Sequence, residues 1–197
     1  MTYYRIISPD EGKNIMMKRD SHREIHHTSG ASIYEKKIEL PFKIKMFAGE
    51  ESGYDQYDPD FEGEYVQPTI EERLVDYYSE SSLMTLALVN ALKDTGVDNL
   101  QVFPVEIEDA FTGEVLNYKY ALVNIIGLVS CVDLESSEHL PFGSGYYFHK
   151  IKIDEEKVKG LSMFRLAESH LEIIVNEKVA KVINSGKFTG IIAEPCN

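Results

Sequence analysis

The stretch NLQVFPVEIEDAFTGEVLNYKYALVNIIGLV, residues 99–129, decides the fold. Its two ends, 99–108 and 118–129, are rich in β-branched and aromatic residues, which are typical of strands. Between them lies DAFTGEV, whose glycine and polar residues favour a turn. The stretch therefore predicts two strands joined by a hairpin-type connection.

Shorter strands are predicted on both sides of this hairpin. The segment YYRII at 3–7 is one, and the segment 38–46 alternates apolar and polar residues as a half-buried strand does. Pro41 cannot donate a ladder hydrogen bond, so we expect 38–46 at the edge of a sheet, where it could pair with another chain or be covered internally. Four further strands are predicted within YYFHKIKID, SMFRL, LEIIV and FTGIIAEP. The stretch ESSEHLPFGSG is predicted to be a loop.

Three segments have helix signals. A capping box, in which Glu72 follows Thr69 by three positions, predicts a helix start at Thr69. The segment LMTLALVNALKD at 83–94 is apolar on nearly all sides and precedes Gly96, which predicts a buried helix. Asn176 is a good cap for a last helix ending near Gly186.

These elements predict an α+β fold with a mixed, largely antiparallel sheet packed with about three helices. We expect a single domain over residues 1–197, in which the 50–68 loop could separate two lobes. Within it, residues 1–68 supply N-terminal strands and an acidic loop, and residues 69–197 form the α+β core.

The composition and the apolar pattern disfavour several partners and cellular locations. The formal net charge of −13 and the sequence pI near 4.9 disfavour nucleic acid and anionic membranes as partners. The N-terminus lacks a secretory signal pattern, and no apolar run reaches the roughly 18 residues of a membrane span. Cys131 and Cys196 form no C-x-x-C pair. A cytoplasmic protein is expected.

An acidic loop with interleaved aromatic residues is the strongest candidate contact surface. Residues 50–80 contain eleven acids and one base, Arg73, and so hold −10 of the net charge of −13. Aromatic rings among acids offer rigid contact area beside charge, although a solvated loop is the simpler reading. The predicted partner-binding residues are Asp55, Tyr57, Asp58, Asp60, Phe61, Glu62 and Glu64. Calcium binding is disfavoured because an EF-hand-like loop counted from Asp58 has Thr69 at its twelfth position, where a bidentate glutamate is needed.

The run HREIHH at 22–27 raises the question of a metal site. On a helix, Glu24 would point away from His22 and His26, so the zinc-protease arrangement fails. On a strand the three side chains would share one face, but the flanking KRDS and TSGAS favour a loop. We therefore predict no metal ligands, and the absence of nucleophile-elbow, phosphate-loop and dinucleotide motifs predicts no catalytic residues and no cofactor.

The C-terminal two-thirds resembles a known family. The carrying motifs, in order, are GVDNLQVFPVEI at 96–107, YALVNIIGLVSCVDLESS at 120–137, and IDEEKVKGLSMFRLAES and IIVNEKVAKVINSGKFTGIIAEP within 153–195. Together they resemble the eleventh catalogued class of immunity proteins from bacterial polymorphic toxin systems. The resemblance spans roughly residues 83–195, whereas residues 1–68 match poorly.

This resemblance implies a cytoplasmic antidote that binds a cognate toxin domain and blocks it, without enzyme chemistry of its own. The acidity of the chain favours a basic toxin. Two alternatives stay open at this point: a scaffold or adaptor that binds no toxin, and a metal-dependent enzyme built from HREIHH and the acidic loop. The oligomeric state, the toxin and its activity are not set by the sequence.

Overall fold

Pairing of short strands dominates the architecture. A computed structural model describes residues 2–9, 17–19, 32–35, 37, 44–48, 74–79, 82–109 and 112–196. The helices of this part are α1 (Ser32–Glu35), α2 (Leu86–Asp94) and α3 (Glu177–Ile183). Its strands are β1 (Tyr3–Ile7), β2 (Met17–Arg19), β3 (Ile44–Ala48), β4 (Tyr77–Tyr78), β5 (Leu83–Thr85), β6 (Leu100–Asp109), β7 (Val115–Leu116), β8 (Tyr120–Ile125), β9 (Leu128–Val129), β10 (Glu138–Phe142), β11 (Gly145–Lys150), β12 (Met163–Leu166), β13 (Ile173–Asn176) and β14 (Ile192–Pro195).

The predicted antiparallel pair is confirmed over β6 and β8, but the second predicted strand, 118–129, is divided: Leu128–Val129 form β9, which belongs to the other large sheet. Strands β6 and β8 pair antiparallel, with Val102 opposite Val123, and they lie inside a seven-stranded sheet. The order along this sheet is β2-β3-β6-β8-β5-β4, and β7 pairs with β6. All six residues of β8 are buried, which explains why its sequence is an almost continuous apolar run.

A second, five-stranded sheet joins the two ends of the chain. Its order is β14-β1-β13-β12-β9, so the N-terminal strand β1 lies between two C-terminal strands. Strand β9 pairs with β12 in parallel, whereas the other pairs of this sheet are antiparallel. The predicted strands at YYRII, SMFRL, LEIIV and FTGIIAEP are thereby confirmed.

Both faces of the five-stranded sheet are covered. From β13, Ile173 and Val175 point into the largest apolar cluster, which also contains the buried residues of α2 and α3. Ile174, on the opposite face, packs in a second cluster with Phe148 of β11 and Phe164 of β12. A third cluster lies against the seven-stranded sheet and includes Leu83, Leu122 and Tyr120. This layering follows from the two-residue period of side chains along a strand.

Helix α2 is shorter and less buried than its sequence predicts. It starts at Leu86, where the Thr85 side chain accepts a hydrogen bond from the Leu88 backbone N–H at 3.3 Å. The preceding residues form β5 instead, because they pair with β8. Leu88 is among the three buried residues of the helix, whereas Leu86 is 37% exposed, so the expectation of burial on all sides is wrong.

Helix α3 follows the prediction closely. The Asn176 side chain accepts a hydrogen bond from the Val179 backbone N–H at 3.0 Å, and Gly186 adopts a φ of +76° just beyond the end. Asn184 then covers the edge strand β14. Its side chain donates to the Ala193 carbonyl at 2.8 Å and accepts from the Ala193 N–H at 2.9 Å. These two bonds occupy a position where another strand could add.

Three predictions about elements need correction. The described residues contain two helices longer than one turn, not about three. The helix start predicted at Thr69 lies outside the described residues and stays a prediction; among the residues that follow it, Tyr77–Tyr78 form β4. The fold remains α+β, with mixed and antiparallel sheets that outweigh the helices.

The other two corrections concern strands. The described part of 38–46 belongs to β3, which pairs with β2 on one side and with β6 on the other, so it is not an edge strand; Pro41 itself lies outside the described residues. The predicted loop 135–145 contains β10, which pairs with β11. Within the described part of the chain, no helix is both long and apolar enough to cross a membrane.

Candidate partner-binding surface

The residues predicted to contact a partner fall outside the described part of the chain. This holds for all of Asp55, Tyr57, Asp58, Asp60, Phe61, Glu62 and Glu64, and also for HREIHH at 22–27. Their assignment stays a prediction.

Asp76 is one acid of the 50–80 segment whose surroundings are described, and it has a structural role. Its carboxylate accepts hydrogen bonds from the Thr85 hydroxyl at 2.7 Å and from the Thr189 N–H at 3.0 Å. The backbone groups of Asp76 also bond to Thr85 and Thr189. This residue therefore ties β4 to the start of α2 and to the loop before β14, and it contributes to the scaffold rather than to a contact surface.

The described residues offer few metal-binding or reactive groups. No group of three or more His, Cys, Asp or Glu residues among them could hold a metal ion. Cys131 is buried and Cys196 half-buried, and burial raises the pKa of each thiol to about 12. Because the thiolate is the reactive form, these two cysteines are poor nucleophiles at neutral pH.

The hairpin of β10 and β11 is a separate two-stranded sheet. Phe142 pairs with Gly145, which leaves Gly143 and Ser144 as a two-residue turn, and Gly143 has a φ of +60°. A positive φ at the first turn residue is typical of the tight turns that suit the strand twist, and glycine adopts it without steric cost. The register of the hairpin is thus fixed by its turn.

One face of the hairpin is a packed aromatic layer. Phe148 is fully buried, and the ring of His139, which lies opposite it, packs edge-on against Tyr146 with the ring centroids 4.8 Å apart. Tyr146 and Phe148 are also in ring contact at 5.9 Å. This inner face joins the second apolar cluster, so it attaches the hairpin to the five-stranded sheet.

The other face of the same hairpin is apolar and open to solvent. Leu140 and Tyr147 lie opposite each other and are 57% and 50% exposed, and Phe142 is 68% exposed. His149 shares this face, since its ring packs edge-on against Tyr147 at 5.0 Å. We refer to Leu140, Phe142 and Tyr147 as the outer face. Outward positions of a sheet covered on one side are ordinarily polar, so this face is an exception that indicates a binding surface.

Backbone and ionic contacts hold the hairpin in place. The Tyr146 N–H donates to the Glu168 carbonyl at 3.0 Å, and a Cβ on Gly145 would overlap that same carbonyl oxygen. Arg5 of β1 donates through one terminal nitrogen to the Phe148 carbonyl at 3.1 Å and through the other to Glu172 at 2.8 Å. Burial raises the pKa of Glu172, although Arg5 opposes this effect. The hairpin is therefore held at its turn end by the bond from Tyr146 and at its middle by the bond to the Phe148 carbonyl.

A second arginine is buried without a carboxylate partner among the described residues. Arg165 is 3% exposed and lies over the ring of Tyr34 from α1, with 4.3 Å between the guanidinium carbon and the ring centroid. It donates to the His170 carbonyl at 2.8 Å, and the ring of His170 stacks on Tyr34. Burial lowers the pKa of Arg165. The Tyr34 carbonyl accepts from the Gly127 N–H at 2.7 Å, so this cluster holds α1 against the sheets.

The outer face is the surface that sequence reasoning missed. The stretch that forms its strand β10 is predicted to be a loop, although the sequence contains a signal for a hairpin. The pair Gly-Ser, flanked by the alternating stretches EHLPF and GYYFHK, is a recognised two-residue hairpin connection. The described histidines His139, His149 and His170 each pack against an aromatic ring, and Cys131 and Cys196 pack in the second apolar cluster.

A family match covers nearly the whole chain. Residues 6–197 match the family described as Immunity protein family (Imm11). The match begins near the N-terminus, so it includes the residues that the sequence motifs left outside the resemblance. No curated protein matches the chain significantly.

Proposed function

Because the chain belongs to the Immunity protein family (Imm11), we propose that it binds a cognate bacterial toxin directly and thereby neutralises it. The family match over residues 6–197 is the observation that carries this proposal. In this role the protein acts in the cytoplasm, where it protects its own cell from a toxin that is made there or that arrives from a sister cell.

The described chemistry supports inhibition by contact. An inhibitor needs a rigid, complementary surface, and it needs no nucleophile, metal or cofactor of its own. The five-stranded sheet, which is covered on both faces, supplies the rigidity, and the two cysteine thiols are held in their unreactive protonated form. The outer face of the β10–β11 hairpin supplies exposed apolar surface.

The acidic loop is the proposed electrostatic part of the interface. Seven residues are assigned to it: Asp55, Tyr57, Asp58, Asp60, Phe61, Glu62 and Glu64. Their carboxylates attract a basic toxin over a distance, and their rings anchor it once it is bound. The attraction between exposed charges falls with ionic strength, so association is expected to slow as salt is added.

Co-expression tests the function. The toxin domain encoded beside this gene is expressed in a susceptible host with and without this protein. We expect growth only in the presence of the protein and co-purification of the two chains as a stable complex. Continued toxicity at equal expression levels, with no complex formed, would contradict the proposal.

Charge neutralisation tests the loop. We propose to change Asp55, Asp58 and Asp60 to Asn and Glu62 and Glu64 to Gln in one variant. About a tenfold lower association rate at low salt, with a weaker salt dependence, is expected because the steering charge is removed.

A control variant separates this local effect from the loss of net charge. It removes the same number of acids from exposed positions elsewhere: Asp94, Asp98, Glu114, Glu156 and Glu194. The control is expected to slow association much less than the loop variant does. Equal association rates for the two variants would remove the loop from the interface and leave the toxin-binding function intact.

A further inference from the structure

The outer face of the β10–β11 hairpin has no role in the folded chain that the described contacts reveal. Its three large apolar side chains are half or more exposed, whereas Tyr146 and Phe148, which alternate with Tyr147 along β11, are packed in the second apolar cluster. The hairpin thus packs against the rest of the described chain through its inner face. The other exposes two aromatic rings and a leucine to water, which is unfavourable unless a partner covers them.

The hairpin presents these side chains in a fixed geometry. The Gly143–Ser144 turn, the Tyr146 bond to the Glu168 carbonyl and the Arg5 bond to the Phe148 carbonyl hold it at three points. A surface that is ordered before binding loses little conformational entropy on binding. Aromatic side chains on such a surface are typical anchors of protein interfaces.

We propose that this outer face is an anchor of the toxin interface and receives an apolar surface of the toxin. The inference rests on the proposed function and assigns it a surface, formed by Leu140, Phe142 and Tyr147. It is separate from the acidic loop, because it acts after encounter by burying apolar area, whereas the loop acts on the rate of encounter.

The charge favours such a toxin over a second copy of this chain. The exposed parts of the three side chains amount to roughly 300–400 Å², while each side of a stable interface buries about 800 Å², so the outer face supplies one part of an interface with any partner. Two copies would each carry a net charge of −13 and repel one another, whereas a basic partner is attracted.

The test compares one double variant and one single variant with a matched control. Phe142→Ser combined with Tyr147→Ser removes both rings, and Leu140→Gln alone keeps them. Val115→Ser is the control, because Val115 is 62% exposed but belongs to the seven-stranded sheet. Binding is measured against the purified toxin domain encoded beside this gene.

The double variant is expected to raise the Kd about 30-fold or more, chiefly through faster dissociation, as loss of two aromatic anchors does. Leu140→Gln is expected to raise it about fivefold, and the control to leave it within about twofold. The midpoint of thermal unfolding is expected to stay within about 2 °C of the wild type, because exposed positions contribute little to stability.

Other outcomes separate this inference from the proposed function. If the wild type itself does not bind the toxin, the proposed function fails. If the wild type binds and the double variant binds within about threefold, the outer face is not an anchor and the function stands. A free wild-type dimer that the double variant dissociates, with unchanged toxin affinity, would assign the face to a second copy. A large fall in the unfolding midpoint of both variants would show that the chain itself covers the face, and would also overturn the inference.

Discussion

The five-stranded sheet and the β10–β11 hairpin use the same kind of sequence for different purposes. In β12 and β13 the apolar residues of both faces are buried, down to 1% or less exposure for Phe164 and Ile174. In the hairpin Phe148 of the inner face is buried, whereas Phe142 of the outer face is 68% exposed. Apolar composition alone therefore does not distinguish a residue buried in the scaffold from one exposed on its surface.

The difference lies in what covers each surface. The five-stranded sheet has α2 and α3 on one face and the hairpin with the 151–158 segment on the other. The hairpin is itself a cover, so its outer face is the last layer of the described structure. A layer in that position is free to evolve for recognition, because substitutions there leave the buried clusters in place.

The largest expected effect is a difference in stability loss between alanine substitutions of one phenylalanine in each region. Phe164→Ala deletes a 1% exposed ring from the second cluster and is expected to lower the free energy of unfolding by about 3–5 kcal/mol. Phe142→Ala is expected to change it by less than about 0.5 kcal/mol, because that ring already lies mostly in water. Urea unfolding followed by circular dichroism measures both.

The ratio of the two effects is the informative quantity. Similar losses from Phe142→Ala and Phe164→Ala would mean that the outer face is buried in solution, and the contrast between the regions would disappear. Tyr147→Ala serves as a second exposed position on the same face, with an exposure of 50%.

A glycine at the junction of the two regions gives the next largest effect. Gly145→Ala puts a methyl group into the Glu168 carbonyl oxygen, so the turn end of the hairpin must shift. We expect a loss of about 1–3 kcal/mol and weaker toxin binding, since overpacking against backbone displaces the outer face.

The control for Gly145→Ala is its neighbour across the turn. Gly143 has open space around its Cβ position but a φ of +60°, so Gly143→Ala costs about 1 kcal/mol through backbone strain alone. If both variants bind the toxin like the wild type, the contact between the turn end of the hairpin and the Glu168 carbonyl does not affect toxin binding. Unchanged stability of Gly145→Ala would show that the loop at Glu168 yields freely.

The sequence predicted the covered region well and the open region poorly. Strand patterns in YYRII, SMFRL and LEIIV are correct because burial on both faces selects continuous apolar runs. The start of α2 was misplaced because Leu83–Thr85, although apolar enough for a helix, pairs with β8. Such pairing between residues far apart in the chain is set by tertiary structure and leaves no local signal.

The outer face was missed for a different reason. The Gly-Ser turn signal was present, but Pro141 and the polar residues before it favoured a loop. Proline is tolerated here because β10 is a strand of a two-stranded sheet with a free edge for the missing donor. The family resemblance, in contrast, was recognisable from ordered motifs and is now supported over residues 6–197.

Removing a helix cap tests how much the cover of the sheet depends on local order. Asn176→Ala deletes the side chain that accepts from the Val179 N–H at 3.0 Å and is expected to cost about 1 kcal/mol. Toxin binding is expected to be unchanged, since α3 covers the face of the sheet remote from the hairpin. Asn176→Asp, which keeps the acceptor, is the matched control and should retain most of the stability. A loss of toxin affinity in Asn176→Ala alone would mean that the two faces of the sheet are coupled.

The smallest effect is a pH dependence at the seam between the regions, where Arg5 contacts both Glu172 and the Phe148 carbonyl of the hairpin. Burial raises the pKa of Glu172 above its ordinary 4.5, despite the opposing attraction of Arg5. A carboxyl group with a raised pKa in the folded state binds its proton more tightly there. Its contribution to stability is therefore present below about pH 4.5 and is lost as the pH rises through the folded pKa.

Glu172→Gln cannot ionise, so the wild type should lose stability relative to this variant as the pH is raised from 4 to 7 at constant ionic strength. Glu177 gives a control of opposite sign: its hydrogen bond with Lys181, 2.8 Å away, lowers the pKa of Glu177. The wild type should therefore lose stability relative to Glu177→Gln as the pH falls through the lowered pKa. If the wild type instead gains on Glu172→Gln between pH 4 and 7, Arg5 outweighs burial. The Arg5–Glu172 ion pair then holds the hairpin to the sheet. Its contribution to stability, unlike that of apolar packing, would fall as Glu172 is protonated.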